Sequence, residues 1–120
     1  MVKQDVDGYV FVMDRKKNMF ISGGENVYPA EVEAYIVSNN DIKEVSVIGV
    51  SDEKWGEVGH AFIVKNANST ITEAEIISYC KGNLAKYKIP KYVSFLSELP
   101  RNEAGKINRM ELLEIHQKQT

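Results

Sequence analysis

Met19-Phe20-Ile21-Ser22-Gly23-Gly24-Glu25-Asn26-Val27-Tyr28-Pro29-Ala30-Glu31-Val32-Glu33 holds a strand, its terminator and the start of a helix in one short run. Met19 to Ile21 is a β-forming stretch ended by Ser22-Gly23-Gly24. Pro29 suits the first turn of a helix, where its missing N–H costs nothing. Val32, Tyr35 and Ile36 then recur at helical spacing to about Ser38, and Asn39-Asn40-Asp41 stops the run. Upstream, Tyr9 to Met13 follows the turn-like Asp7-Gly8 and reads as another strand. Downstream, Val45 to Val50 and Ala61 to Val64 read as two core strands around the polar loop Ser51 to Glu57. Thr72-Glu73-Ala74-Glu75 is a capping box, with Ile76, Ile77, Cys80 and Leu84 following on one helical face. Tyr92 to Leu96 is a further strand, and Asn108 to Glu111 opens a last helix carrying Met110, Leu112, Leu113 and Ile115. This order predicts one α+β domain over residues 1–120, a small mixed or antiparallel sheet with about three helices packed on it.

Composition narrows the function. The chain has 120 residues and 15 Lys+Arg against 17 Asp+Glu, a net charge of -2, which argues against an electrostatic nucleic-acid binder. No apolar run approaches the length of a membrane span, and the amino terminus lacks a signal pattern. One cysteine, Cys80, excludes an internal disulfide and fits a reducing, cytoplasmic setting; its place on an apolar stripe reads as a packed core thiol.

The segments left outside the core are Asp14 to Tyr28 and Glu98 to Ile107, and loops such as these carry most sites. Adjacent Gly23 and Gly24 permit positive φ and let a ligand lie on bare backbone, although a plain turn explains them as well. No P-loop follows them, and Gly56 and Gly59 read as turn glycines. Lys106, beside Gly105, can swing an ammonium between two anionic oxygens, as a carboxylate attacking a phosphate requires. Lys81, Lys86, Lys88 and Lys91 cluster with Tyr87 and Tyr92 and no acid between them. That patch can face phosphates, with Tyr87 stacking on a base. The helix macrodipole accounts for Lys81 and Lys86 equally well, but less well for Lys88 and Lys91. His60 and His116 are far apart in sequence without evident ligand partners, so no metal site is expected. Glu31 and Glu33 suit a helix N-terminus for structural reasons alone.

Taken in this order, the segments resemble the carboxy-terminal domain of the adenylate-forming superfamily, and within it the AMP-forming acid–CoA ligases. The resemblance rests on Asp14 to Glu33, on Leu99-Pro100-Arg101-Asn102-Glu103-Ala104-Gly105-Lys106-Ile107, and on Trp55-Gly56-Glu57 between them. It implies a reaction in which a carboxylic acid and Mg-ATP give an acyl-adenylate, and the acyl group then passes to CoA. It implies a mobile domain that rotates between the two half-reactions. Lys106 is then the catalytic lysine of adenylation, Arg15 contacts the ATP ribose, and Lys17 is the hinge. Gly23, Gly24 and Glu25 line the pantetheine tunnel, while Tyr87, Lys88 and Lys91 hold the CoA nucleotide. Mg2+ is expected to arrive with ATP and not to be bound by this domain. The family's large amino-terminal domain, with its phosphate loop and acid pocket, is absent from the sequence. The expectation is therefore an excised domain, inactive alone, whose partner is that amino-terminal domain. Two alternatives stay open: a stand-alone CoA- or nucleotide-binding module, or part of an adenylation domain that loads a carrier protein.

Overall fold

The computed structural model describes residues 19–119. The expected strand Tyr9 to Met13, Arg15 and Lys17 lie outside the described residues. The elements run β1 (Phe20–Ser22), β2 (Glu25–Val27), α1 (Pro29–Val37), β3 (Ile42–Asp52), β4 (Gly56–Lys65), α2 (Glu73–Cys80), a 3-10 turn (Lys86–Lys88), β5 (Tyr92–Phe95) and α3 (Arg109–Gln119). The sheet is mixed. Strand β4 is its centre, antiparallel to β3 from Ile42↔Lys65 to Asp52↔Gly56 and parallel to β5 from His60↔Tyr92 to Ile63↔Phe95. Strand β1 joins β4 at Ser22↔Gly56 and pairs with β2 on its other side.

Alternation along β4 explains the layering. Ala61 and Ile63 belong to a core with Phe20, Val32, Ile36 and Ile76, under α1 and α2. Phe62 and Val64 belong to a second core with Ile48, Val50 and Leu112, under α3. A strand buried on both faces reads as a continuous apolar run, and Ala61 to Val64 is one. Thr72 caps α2 as expected, with its side chain accepting from Glu75 N and Glu75 returning to Thr72 N. Asn108 Oδ1 accepts from Glu111 N at the start of α3. Cys80 is fully buried, and burial pushes its thiol pKa up, as befits a packed side chain. No described helix is long and apolar enough to cross a membrane.

Several boundaries differ from the sequence reading. Helix α2 ends at Cys80, so Leu84 packs from the following turn, and Lys86 belongs to the 3-10 turn, away from the end of α2. The loop Ser51 to Glu57 shrinks to three residues because polar Ser51, Asp52 and Glu57 remain paired in the hairpin. Gly59 is a strand residue, opposite Gly49. Glu33, expected only to suit a helix N-terminus, accepts from Val47 N at 2.8 Å on the outer edge of β3. That bond occupies an N–H that an open sheet edge would otherwise offer to another chain.

The two histidines meet. His60 on β4 and His116 on α3 are buried, with their Nδ1 atoms 2.9 Å apart. His60 Nε2 lies 2.7 Å from Ser94 Oγ, and Ser94 donates to Gln119 Oε1 at 2.8 Å. Because the Ser94 proton goes to Gln119, His60 donates from Nε2 and accepts at Nδ1 from His116, which requires a neutral His60 ring. Burial, and secondarily His116, pushes the His60 pKa down from 6.5 to about 4. The unfolded chain thus takes up this proton near pH 6.5, and the folded one only near pH 4. Stability from neutral His60 is complete above pH 6.5 and falls as pH drops toward 4, by up to about 3 kcal/mol. Thermal melts at pH 7 and pH 4.5 should show a larger loss of Tm in the wild type than in His60→Phe. Equal losses would remove His60 from the pH dependence.

Candidate functional site

Gly23 and Gly24 are the two central residues of a hairpin closed by the Ser22↔Glu25 pair, with φ of 59° and 85°. A two-residue turn with both central φ positive matches the twist of its strands and favours glycine at each position. The pair also meets a neighbour. Gly23 N donates to Trp55 O at 2.8 Å, and a Cβ on Gly23 would lie 2.8 Å from Trp55 Cε3. Trp55 sits at the tip of the β3–β4 hairpin, where Asp52 Oδ2 accepts from Lys54 N at 3.0 Å and from Trp55 N at 2.9 Å. Asp52 Oδ1 meets Lys91 Nζ at 2.7 Å. Around this junction lies a cavity of about 240 Å³, lined by Ser22, Trp55, Lys86, Tyr87, Ile89 and Lys91.

The electrostatics of this cavity differ from those of a bare lysine patch. Lys91 is held by Asp52, and Lys88 is paired with Glu31 at 2.8 Å. Each hydrogen bond raises the pKa of its lysine, and the Lys91 contact, with the Trp55 amide next, holds Asp52 below the usual carboxylate range. Lys86 is exposed on the cavity rim and has no ion-pair partner among the described residues. Glu25 is exposed in β2.

Lys106 stands on a different part of the surface. Its backbone is fixed: Lys106 N donates to Asn102 Oδ1 at 3.1 Å, and Asn102 N donates to Lys106 O at 2.8 Å. Arg101 bridges to Ile107 and donates to Gly105 O, while its other guanidinium nitrogen pairs with Glu44 at 2.9 Å. The Lys106 side chain is exposed and has no partner among the described residues. A rigid loop therefore presents a free ammonium. Glu44 anchors this loop near the start of β3, and Asp52 anchors the cavity at its end. Eight residues of strand separate the two anchors by about 26 Å.

Residues 31–106 match the family described as AMP-binding enzyme C-terminal domain. The chain belongs to this family. It is 47% identical over 111 residues to a 2-succinylbenzoate–CoA ligase of Bacillus cereus, covering 92% of this chain and 23% of that protein. Among solved structures, it resembles a fatty acyl CoA synthetase of Mycobacterium tuberculosis at 49% identity and TM-score 0.75, over 82% of this chain and 20% of the other. It also resembles the o-succinylbenzoate CoA synthetase of Bacillus subtilis, solved with the acyl-adenylate intermediate OSB-AMP. That match has 44% identity and TM-score 0.74, over 81% of this chain and 20% of the other. The chain thus spans about a quarter or less of the length of the relatives it matches.

In this AMP-binding C-terminal domain, Tyr87 and Lys91 line one cavity, Gly23 meets its wall at Trp55 with Gly24 next in the turn, Lys88 faces Glu31, and Lys106 stands on the loop tied to Glu44. Arg15 and Lys17 lie outside the described residues. Asp52 has no role in the sequence reading, Lys86 enters it within the lysine cluster that the helix macrodipole also explains, and Trp55 only as a mark of resemblance. Trp55 is the chain's one tryptophan, and an apolar side chain at the tip of a polar hairpin was the signal available. No group of three or more His, Cys, Asp or Glu among the described residues could hold a metal ion.

Proposed function

We propose that this chain is the mobile carboxy-terminal domain of an AMP-forming acid–CoA ligase, which joins a carboxylic acid to ATP as an acyl-adenylate and then transfers the acyl group to CoA. In this reading Lys106 serves the adenylation half-reaction, contacting the carboxylate and phosphate oxygens where two anions must approach. The Gly23–Gly24 hairpin, with Trp55, Tyr87 and Lys91, serves the thioester half-reaction. Bare glycine backbone suits the wall of a narrow channel for a thiol arm, and Tyr87 offers a ring for an adenine. Arg15 toward the ATP ribose and Lys17 as the hinge complete the assignment on the strength of the sequence resemblance. ATP brings its Mg2+ as substrate.

One observation carries this reading: the two candidate faces are anchored at opposite ends of β3. With their anchors Glu44 and Asp52 about 26 Å apart along the strand, the two faces are read as addressing the reaction centre one at a time. The acid itself is recognised elsewhere in this reading, because similarity is equally high to a ligase named for 2-succinylbenzoate and to one named for fatty acids.

The chain alone is expected to show no ATP–pyrophosphate exchange with any carboxylic acid, and weak or no binding in calorimetric titrations with ATP and with CoA. Joined to an amino-terminal adenylation domain of the family, it should support both half-reactions. Micromolar binding of CoA or ATP by the chain alone would instead make it a stand-alone module. Transfer to a holo-carrier protein, with free CoA refused, would make it part of a carrier-loading enzyme.

A further inference from the structure

Two residues that line the cavity, Trp55 and Lys91, meet on one carboxylate. Asp52 closes the β3–β4 hairpin by accepting from Lys54 N and Trp55 N with one oxygen, and holds Lys91 with the other. Trp55 in turn accepts from Gly23 N and lies against the Gly23 Cα where a side chain would stand. The Asp52 side chain is 6% exposed, whereas that of Lys91 is 50% exposed. A carboxylate taken out of water is stable only when its oxygens are occupied by donors, and these three donors are what occupy it. An ordinary exposed lysine pair would be worth little and would leave Lys91 to wander. Here the acid is fixed by two backbone amides before it meets the lysine, so the lysine docks onto a prepared position.

We propose that Asp52 is a positioning residue for the thiol-accepting half-reaction, setting Trp55 and Lys91 around the cavity beside the Gly23–Gly24 hairpin. The proposal rests on the reading of that cavity as the thiol side. In this role Asp52 acts through the residues it holds, Trp55 and Lys91. Like any ordinary carboxylate it is ionised at neutral pH, and the Lys91 contact, with the Trp55 amide next, lowers its pKa further.

Two substitutions separate its two jobs. Asp52→Ala removes both the turn acceptor and the charge. Asp52→Asn keeps an oxygen for the two amides but gives up the charge. In this chain, Trp55 is the sole tryptophan, so acrylamide quenching of intrinsic fluorescence reports the hairpin directly. Asp52→Ala should raise the quenching constant about twofold through loss of the side chain-to-backbone turn, and Asp52→Asn should restore the wild-type value. In the ligase joined to its amino-terminal domain, Asp52→Ala should raise the KM for CoA about tenfold through misplacement of both walls, with the adenylation rate and the KM for ATP unchanged. Asp52→Asn should fall between the two, with KM for CoA about threefold above wild type, since Trp55 stays placed while Lys91 loses its charge partner. Wild-type quenching in Asp52→Ala, an unchanged KM for CoA, or a loss falling equally on adenylation would each overturn the proposal. If the wild-type joined ligase turns over no thiol, the functional reading fails, and the quenching series still decides whether Asp52 holds Trp55.

Discussion

Lys106→Ala, in this domain joined to an amino-terminal adenylation domain, is expected to slow acyl-adenylate formation by about 10²–10³-fold. Thioester formation from supplied acyl-adenylate should stay within about threefold of wild type. The size of the first effect follows from the reaction. A carboxylate attacking a phosphate brings two anions together, and a preplaced ammonium in a water-poor site offsets their repulsion most at the transition state. The selectivity follows from the geometry. The Lys106 loop hangs from Glu44 through Arg101, and the cavity hangs from Asp52 at the other end of β3. In the proposed two-pose reading, one end faces the reaction centre in each half-reaction. Folding should be unaffected, because the Lys106 side chain is exposed and the loop is held by Asn102 and Arg101. Lys106→Arg should not restore full activity, since a forked guanidinium does not replace a compact ammonium between two oxygens. Pyrophosphate exchange measures the first step and release of AMP from supplied adenylate the second. Equal loss in both would overturn the two-face assignment.

The same chain shows which features a sequence can carry. The capping box Thr72–Glu75, the apolar run Ala61 to Val64 and the proline at the start of α1 are local signals with local causes, and each appears where its physics places it. The sequence reading places no strand at Glu25-Asn26-Val27, because Glu and Asn are poor strand formers and Val27 stands alone beside them. Strand β2 exists because Gly23-Gly24 turn the chain back onto β1 and Val27 enters the core. Gly59 was read as a turn residue because nothing in its neighbours reveals Gly49 across the ladder. The ion pairs of the lysine patch are hidden from a local reading for a related reason. Its counter-charges, Glu31 and Asp52, lie 57 and 39 residues away, where no local reading can find them. The histidine pair spans 56 residues and was equally invisible. Lys106 and the glycine pair, which the resemblance singles out, are exposed groups whose surroundings are mostly local turns, so their geometry is the part closest to the sequence.

Gly49→Ala is expected to be the most destabilising of the small substitutions considered, at about 3 kcal/mol, near the top of the usual overpacking range, with a fall in Tm of about 10–15 °C. Backbone conformation is not the reason, since Gly49 lies in a regular antiparallel pair with Gly59. Space is. A Cβ there would meet Phe20 Cγ at 2.5 Å, Cβ at 2.6 Å and Cδ2 at 2.7 Å, and the ring end Cζ lies 3.5 Å from a Cβ position on Gly59. The two glycines thus form the floor on which buried Phe20 lies. The clash is with the root of the side chain and not its flexible end, so β1 itself must lift. Gly82→Ala is the control: it has φ of 86° but open space around it, so it should cost only about 1–2 kcal/mol of left-handed strain. In a Phe20→Ala background the added cost of Gly49→Ala should shrink, because two of its three nearest atoms are gone. Additive losses in that double-mutant cycle would show that Phe20 is not what Gly49 makes room for. Because β1 leads directly into the Gly23–Gly24 turn, a lifted β1 would also draw Gly23 away from Trp55. Raised acrylamide quenching of Trp55 in folded Gly49→Ala would register that displacement.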